Sequence, residues 1–343
     1  MEPILDVWNL TTEIPTKRGV LTAVDGVTFA LQPGEIFGMV GESGSGKSMT
    51  CRSILQLVPS PGKVTGGEVH FAGRNLLALT PKEFSTIRGR EIAMIFQDPM
   101  AVLNPVLRIG EQLTEAMLEH GVASSKSDAQ ARAVELLRLV GIPAPEQRLR
   151  DYPHQFSGGM CQRVVIAIAL ACQPRLILAD EPTTALDVTI QDQILKLLVR
   201  LQHELNLSLL LVTHDMGVVA QTCQRVAVMY AGQIVELADK FALFAAPRHP
   251  YTVGLLNCVP RVEEDGEVRP LAPIGGAPPD LVQPPRGCRF HPRCPLASDE
   301  CKSGTFPLRQ IGPNHYSACI KHAQLAGVYA PPARPVPNGE VSL

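Results

Sequence analysis

Three short apolar runs in this chain share a design: each is unbroken and each ends on polar side chains. Ile92-Ala93-Met94-Ile95-Phe96 precedes Gln97, Leu176-Ile177-Leu178-Ala179 runs into Asp180-Glu181, and Leu209-Leu210-Leu211-Val212 runs into Thr213-His214-Asp215. Such runs suit strands covered on both faces, and the residues just past them stand where an open α/β sheet puts its chemistry. Gly38-Met39-Val40 ends a fourth buried strand, and the segment from Lys47 to about Leu57 predicts a helix after it. Ile4 to Phe29 alternates with a period of two, which predicts paired strands joined through Thr16-Lys17-Arg18-Gly19, and Gly66 to Phe71 predicts another strand. The pattern turns helical from about Ile109 to Leu149, with Ala133 to Val140 stopped by Gly141 and Pro143, and again from Val188 to Leu205. Ser157 fits as the N-cap of a further helix that runs to Cys172, and Gly158-Gly159 opens its N-terminus to an anion.

Between the Val40 strand and the first helix stands Gly41-Glu42-Ser43-Gly44-Ser45-Gly46-Lys47-Ser48, a complete G-x-x-x-x-G-K-S phosphate loop. Its glycines let backbone N–H groups close round phosphates and the helix dipole points at the anion. Lys47 then pairs with the β- and γ-phosphates, Ser48 takes a Mg²⁺ position, and Met49 follows on the helix. Asp180 is the candidate for holding Mg²⁺ through its water shell and Glu181 for polarising the attacking water; two carboxylates capping the next helix is the alternative. Gln97 is placed to reach Mg²⁺ or the water, and His214 the γ-phosphate. Taken singly, either could be an ordinary loop contact.

Length and composition narrow the organisation. The 343 residues give room for an α/β core and one smaller appendage. Hydrophobic residues at 45% and charged residues at 19% exclude wholesale disorder, and a net charge of −2 gives no electrostatic basis for nucleic-acid binding. The longest apolar run, Val164 to Cys172, is about half a membrane span, and the acidic start Met1-Glu2-Pro3-Ile4-Leu5-Asp6 lacks the features of a secretory signal, so a reducing cytosolic setting is expected. Past Phe244 the composition shifts: 17 of 30 prolines lie from Pro247 onward. The expected division is a nucleotide-binding domain over 1–245 with a helical subdomain at about 105–172, an extension over 246–326, and a proline-rich, extended tail over 327–343.

Of nine cysteines, Cys51, Cys161, Cys172, Cys223 and Cys258 sit among apolar neighbours as small core residues, whereas Cys288, Cys294, Cys301 and Cys319 crowd into one stretch. Four thiolates suit an iron–sulfur cluster; zinc is the alternative, although the close C-x₂₋₄-C pair it favours is missing, and disulfides or unrelated core thiols are a third reading.

The loop, Gln97, Ser157-Gly158-Gly159, Asp180-Glu181, Ala185-Leu186-Asp187 and His214 occur in the order typical of ATP-binding-cassette ATPases, and the chain resembles that family over about residues 4–245. The resemblance implies an α/β P-loop nucleotide-hydrolase fold: a RecA-like core, an antiparallel β lid over the base, a helical subdomain and a small cysteine-rich extension. It implies ATP and Mg²⁺ as ligands at Gly41, Ser43, Gly44, Ser45, Gly46, Lys47, Ser48 and Met49, with Ser157, Gly158 and Gly159 contacting the γ-phosphate held by an opposite subunit and Asp187 at that junction. Two departures stand out: the adenine-stacking position falls near Ile14, which offers only apolar contact, and Met160 stands where Gln is commonest.

Residues 246–322, with His249-Pro250-Tyr251-Thr252, Leu255-Leu256, Pro260 and Gly287-Cys288-Arg289-Phe290-His291-Pro292-Arg293-Cys294-Pro295, look like the extension of cassette subunits from dipeptide and oligopeptide importers. That implies the energy-coupling ATPase of a bacterial-type peptide importer, peripheral on the cytoplasmic face of the cell membrane. Its partners would be two membrane-spanning permease subunits, a second ATPase subunit that is a paralogue, and, indirectly, a solute-binding protein. The four clustered cysteines would carry a [4Fe–4S] centre. Relatives with this extension also serve nickel, sugars or other small solutes. A cassette ATPase acting on nucleic acid or the ribosome would carry a second cassette, a coiled-coil insertion or a basic surface, and none appears.

Overall fold

The computed structural model describes residues 2–184, 186–259 and 273–325. Ala185, Pro260 and the tail expected over 327–343 lie outside the described residues. The chain opens with a hairpin, β1 (Leu5–Thr16) and β2 (Gly19–Leu31), closed where Thr16 Oγ1 donates to the Gly19 carbonyl at 2.7 Å. β3 (Ile36–Val40), buried at all five positions, leads through the glycine loop into α1 (Lys47–Ile54). α1 stops short of Leu57 because Gln56 turns left-handed at φ 52°. The Gln56 and Leu57 amides then close onto the Ser53 and Arg52 carbonyls at 3.1 and 2.7 Å, a Schellman ending. β4 (Lys63–Phe71) and β5 (Arg74–Asn75) return to the hairpin and complete an antiparallel sheet in the order β2-β1-β4-β5. α2 (Pro81–Ser85), held by a Thr80–Glu83 capping box, precedes β6 (Ile92–Ile95).

The helical insertion is several helices rather than one run: α3 (Pro99–Val102), α4 (Ile109–Glu119), α5 (Lys126–Leu139), α6 (Pro145–Arg148) and α7 (Gly158–Leu170). Gly121 at φ 62° and Gly141 at φ 77° end α4 and α5 in the left-handed region. Then come β7 (Leu176–Asp180), α8 (Val188–Leu205), β8 (Ser208–Thr213), α9 (Met216–Thr222), β9 (Arg225–Tyr230), β10 (Gln233–Asp239), α10 (Lys240–Ala245), α11 (Pro250–Asn257), β11 (Arg309–Gly312) and β12 (His315–Ser317).

The second sheet runs β11-β12-β10-β9-β3-β8-β7-β6, parallel from β9 to β6 and antiparallel beyond. The period of two divides its side chains. Ile36, Val40, Ile177, Ala179, Leu209 and Leu211 face the helices, packing with Leu113, Leu137, Val164 and Leu198. Phe37, Met39, Leu176, Leu178, Leu210 and Val212 face the antiparallel sheet, packing with Leu5, Val7, Leu31 and Ile54. Residues past 245 join this architecture: β12 pairs with β10 through Leu237 opposite Tyr316, and Tyr251, Leu256 and Phe290 belong to the buried cluster on the helical side.

His249 caps α11 from inside that cluster, its Nδ1 accepting the Tyr251 amide at 3.1 Å. Burial pushes its pKa down from 6.5 to about 3, so the folded protein holds it neutral while the unfolded chain protonates it as the pH falls below 6.5. Its contribution to stability is therefore intact above pH 6.5 and is lost between there and about 3, a loss of about 2 kcal/mol by pH 5. His249→Asn, which keeps a capping oxygen, should flatten the fall in Tm between pH 7 and 5; an unchanged slope would place the acid sensitivity elsewhere.

Candidate functional site

The loop between β3 and α1 holds its shape because glycines occupy positions nothing else fits. A Cβ at Gly41 would lie 2.1 Å from the Met229 carbonyl oxygen, and one at Gly46, which has φ 105°, 2.4 Å from the Ala23 carbonyl oxygen. Lys47 is buried and curls back over the loop, its Nζ donating to the Gly41 and Glu42 carbonyls at 2.8 and 2.9 Å. Burial draws its pKa below the usual lysine value against the pull of the Glu181, Asp180 and Glu42 carboxylates. Its charge is thus held in a poorly solvated place by weak carbonyl partners, a state that a phosphate would relieve.

Ser48 Oγ donates to Asp180 Oδ1 at 2.7 Å, linking the loop helix to the end of β7. Burial raises the Asp180 pKa, the Ser48 hydrogen bond opposes this, and neighbouring Glu181 adds to it. Glu181 leaves the strand in left-handed backbone at φ 47°, unusual for a glutamate, while its amide still donates to the Val212 carbonyl at 2.9 Å. That twist turns its carboxylate to three neighbours: Oε2 accepts from Gln97 Nε2 at 3.0 Å and Thr184 Oγ1 at 2.8 Å, and lies 3.4 Å from His214 Nδ1. The polar ends of three adjacent strands therefore meet at one oxygen.

Gly41, Ser43, Gly44, Gly46, Lys47, Ser48, Met49, Gln97, Glu181 and His214 line one cleft of about 970 Å³, and Ser45 packs beneath Gly41 in the loop. Thr184 lines it too, missed in the sequence because a threonine three residues past a carboxylate carries no signal of its own. Ile14 faces it with Leu21 and Ala23, and the extension adds Leu255, Cys258, Pro273, Ile274 and Leu281, a wall of chain more than two hundred residues from Ile14.

Ser157, Gly158, Gly159 and Asp187 are not part of that cleft. Ser157 Oγ accepts the Met160 amide at 3.3 Å and Asp187 Oδ1 the Ile190 amide at 3.0 Å, so they cap α7 and α8 side by side. A Cβ on Gly159 would meet Ile190 Cγ2 at 2.6 Å, so only glycine lets the two helices approach this closely. The capped ends stay exposed, with Val188 81% accessible beside them.

Cys288, Cys294, Cys301 and Cys319 line a second, small cavity walled by Phe290, Phe306 and Ala318. Burial raises the thiol pKa of Cys288, Cys294 and Cys319, the last to about 11, and the Lys321 amide donates to Cys319 Sγ at 3.3 Å. Among the described residues no three His, Cys, Asp or Glu side chains are close enough together to hold a single metal ion, so the four thiols do not form the tetrahedral set that zinc requires.

The ABC transporter family profile matches residues 24–184, and that of the oligopeptide/dipeptide transporter C-terminal region matches residues 235–301. The chain is 53% identical to the dipeptide transport ATP-binding protein DppD of Bacillus subtilis, covering 95% of this chain and 99% of that one. It is 46% identical to the oligopeptide transport ATP-binding protein OppD of Salmonella typhimurium, with 93% of each covered. Among solved structures, a dimeric post-hydrolysis state of the ATP-binding cassette MJ0796 bound to ADP and Pi is similar at 31% identity and a TM-score of 0.62, covering 69% of this chain and 98% of that one.

Proposed function

Because the chain belongs to the ATP-binding-cassette transporter ATPases that carry the oligopeptide/dipeptide C-terminal region, we propose that it is the ATP-hydrolysing, energy-coupling subunit of a bacterial-type importer of di- or oligopeptides. The observation that carries this reading is the meeting of Gln97, Glu181 and His214 beside the glycine loop. No helix of the described residues is long and apolar enough to cross a membrane. On the importer reading, which the C-terminal region and the peptide-transport relatives support, this chain is peripheral on the cytoplasmic side of two separate spanning subunits. A second ATPase subunit, a paralogue, completes the pair. The unit over 1–245, with its helical subdomain at about 105–172, carries the catalysis, and the described residues of the extension over 246–326 pack against it.

The roles follow from the contacts. Loop amides and Lys47 take the β- and γ-phosphates, and Lys47 exchanges its two carbonyl partners for phosphate oxygens. Ser48 and Asp180, one hydrogen bond apart, are a hydroxyl and a buried carboxylate suited to Mg²⁺, with Gln97 nearby; when bound, that ion neutralises charge on the phosphates. Glu181 accepts the proton of the attacking water, while His214 and Gln97 fix its carboxylate and reach toward the γ-phosphate. Ser157, Gly158 and Asp187, exposed, and half-buried Gly159, all outside the chain's own cleft, act on the nucleotide of the opposite subunit. Two helix N-termini then enclose one triphosphate, and hydrolysis releases the halves, which the spanning subunits convert into motion.

Glu181→Gln preserves side-chain volume and removes the base. The ATPase rate should fall about 10²-fold or more while ATP affinity stays within about twofold. Hydrolysis near the parent rate would refute the assignment.

The four cysteines are proposed to carry a [4Fe–4S] centre. Their convergence on one cavity supports this, as does the amide donated to Cys319 Sγ, and a cubane spreads its thiolates wider than one ion does. Such a centre would supply folding energy to a proline-rich segment. Purified without oxygen, the chain should be brown and contain about four irons. A colourless protein with one zinc would refute the cluster, and one free of metal would refute any metal role for the cysteines.

A further inference from the structure

The cysteine-bearing extension grips the phosphate loop. Arg293, in the turn between Cys288 and Cys294, donates through Nη1 to Glu42 Oε2 at 2.7 Å and through Nη2 to Glu42 Oε1 at 3.0 Å. The Arg293 side chain is 5% exposed, so this two-pronged pair is shielded from water on the arginine side. The guanidinium is fixed in turn by the Gly275 carbonyl at 2.8 Å and the Tyr230 hydroxyl at 3.3 Å. Glu42 is held a second time through its backbone, whose amide donates to the Tyr251 hydroxyl at 2.8 Å. Tyr251 packs against Tyr230 and Phe290, with ring centroids 4.6 and 5.4 Å away, so both anchors of Glu42 stand in one aromatic cluster.

Glu42 in turn governs the atoms that meet phosphate. Its carbonyl accepts from Lys47 Nζ at 2.9 Å and from the Ser45 amide at 3.2 Å, so a shift of Glu42 moves the lysine and the crown of the loop together. A parallel tie runs from the other end of the same turn: Arg289, next to Cys288, binds Asp25 and the Ala231 carbonyl, and the adjoining Gly232 amide donates to the Ser45 carbonyl at 2.8 Å.

We propose that Arg293 is a positioning residue for the phosphate loop, acting through Glu42, so that ordering of the four-cysteine segment and affinity for ATP are linked. The inference rests on the reading of the cleft as an ATP site. Linkage is reciprocal: ATP must stabilise the segment to the extent that the segment favours ATP.

Calorimetric titration of the whole, metal-replete chain with Mg-ATP tests it. Arg293→Ala should weaken ATP binding about tenfold in the parent but less than about twofold in a Glu42→Ala background, with Arg293→Lys recovering part of the loss. Amide exchange over 288–294 should slow on adding ATP to the parent and not to Glu42→Ala. An equal loss in both backgrounds would mean that Arg293 acts by its charge or by general folding, and no loss would mean that the grip is idle; either overturns the proposal. A parent that binds no ATP, and so behaves as Lys47→Ala should, would instead overturn the reading of the site.

Discussion

Backbone amides can meet the concentrated charge of a triphosphate only where no side chain intervenes, and that constraint organises the molecule. Gly41 and Gly46 lie so close to the Met229 and Ala23 carbonyls that a methyl group would collide. The loop is therefore pinned between the strand pair β9–β10 and the β1–β2 hairpin, not merely flexible. β3, which delivers it, lies between β8 and β9 and is buried on both faces. Once β3 is central, the ends of β6, β7 and β8 follow beside it, and with them Gln97, Glu181 and His214.

The extension belongs to the same constraint. It continues the main sheet through β12, lines the same cleft as Ile14 with Ile274 and Leu281, the Leu281 carbonyl accepting the Thr22 amide of β2 at 3.3 Å, and holds Glu42 at both side chain and backbone. Apolar surface from the extension stands at the side of the cleft where the family pattern places an aromatic ring. The glycine loop, the apolar wall beside Ile14 and the cysteine segment are in this way parts of one packed unit.

Much of this was legible in the sequence because the physics behind it is local. The glycine loop, the apolar runs ending on polar residues and α8 from Val188 to Leu205 depend on neighbouring residues, and the structure reproduces the bounds of α8. The early end of α1 depends on one left-handed glutamine, a residue type that gives no warning. The left-handed backbone of Glu181 is equally silent, since a glutamate at the end of an apolar strand carries no sign of a positive φ. β11, reading Arg309-Gln310-Ile311-Gly312, is a polar edge strand recognisable only from its partner. Arg293 and Glu42 are 251 residues apart, and nothing in either neighbourhood indicates the other.

The central claim is that hydrolysis takes place at a junction, with the capped N-terminus of α7 completing a neighbour's site. Ser157→Asp tests it directly, because aspartate keeps the cap on Met160 and sets a negative charge where the γ-phosphate of the opposite subunit would lie. Binding of Mg-ATP to the isolated chain should be unchanged within about twofold, while the ATPase rate of the assembled transporter should fall by about tenfold or more. An assembled transporter that keeps its rate, or an isolated chain that loses its ATP, would contradict the account.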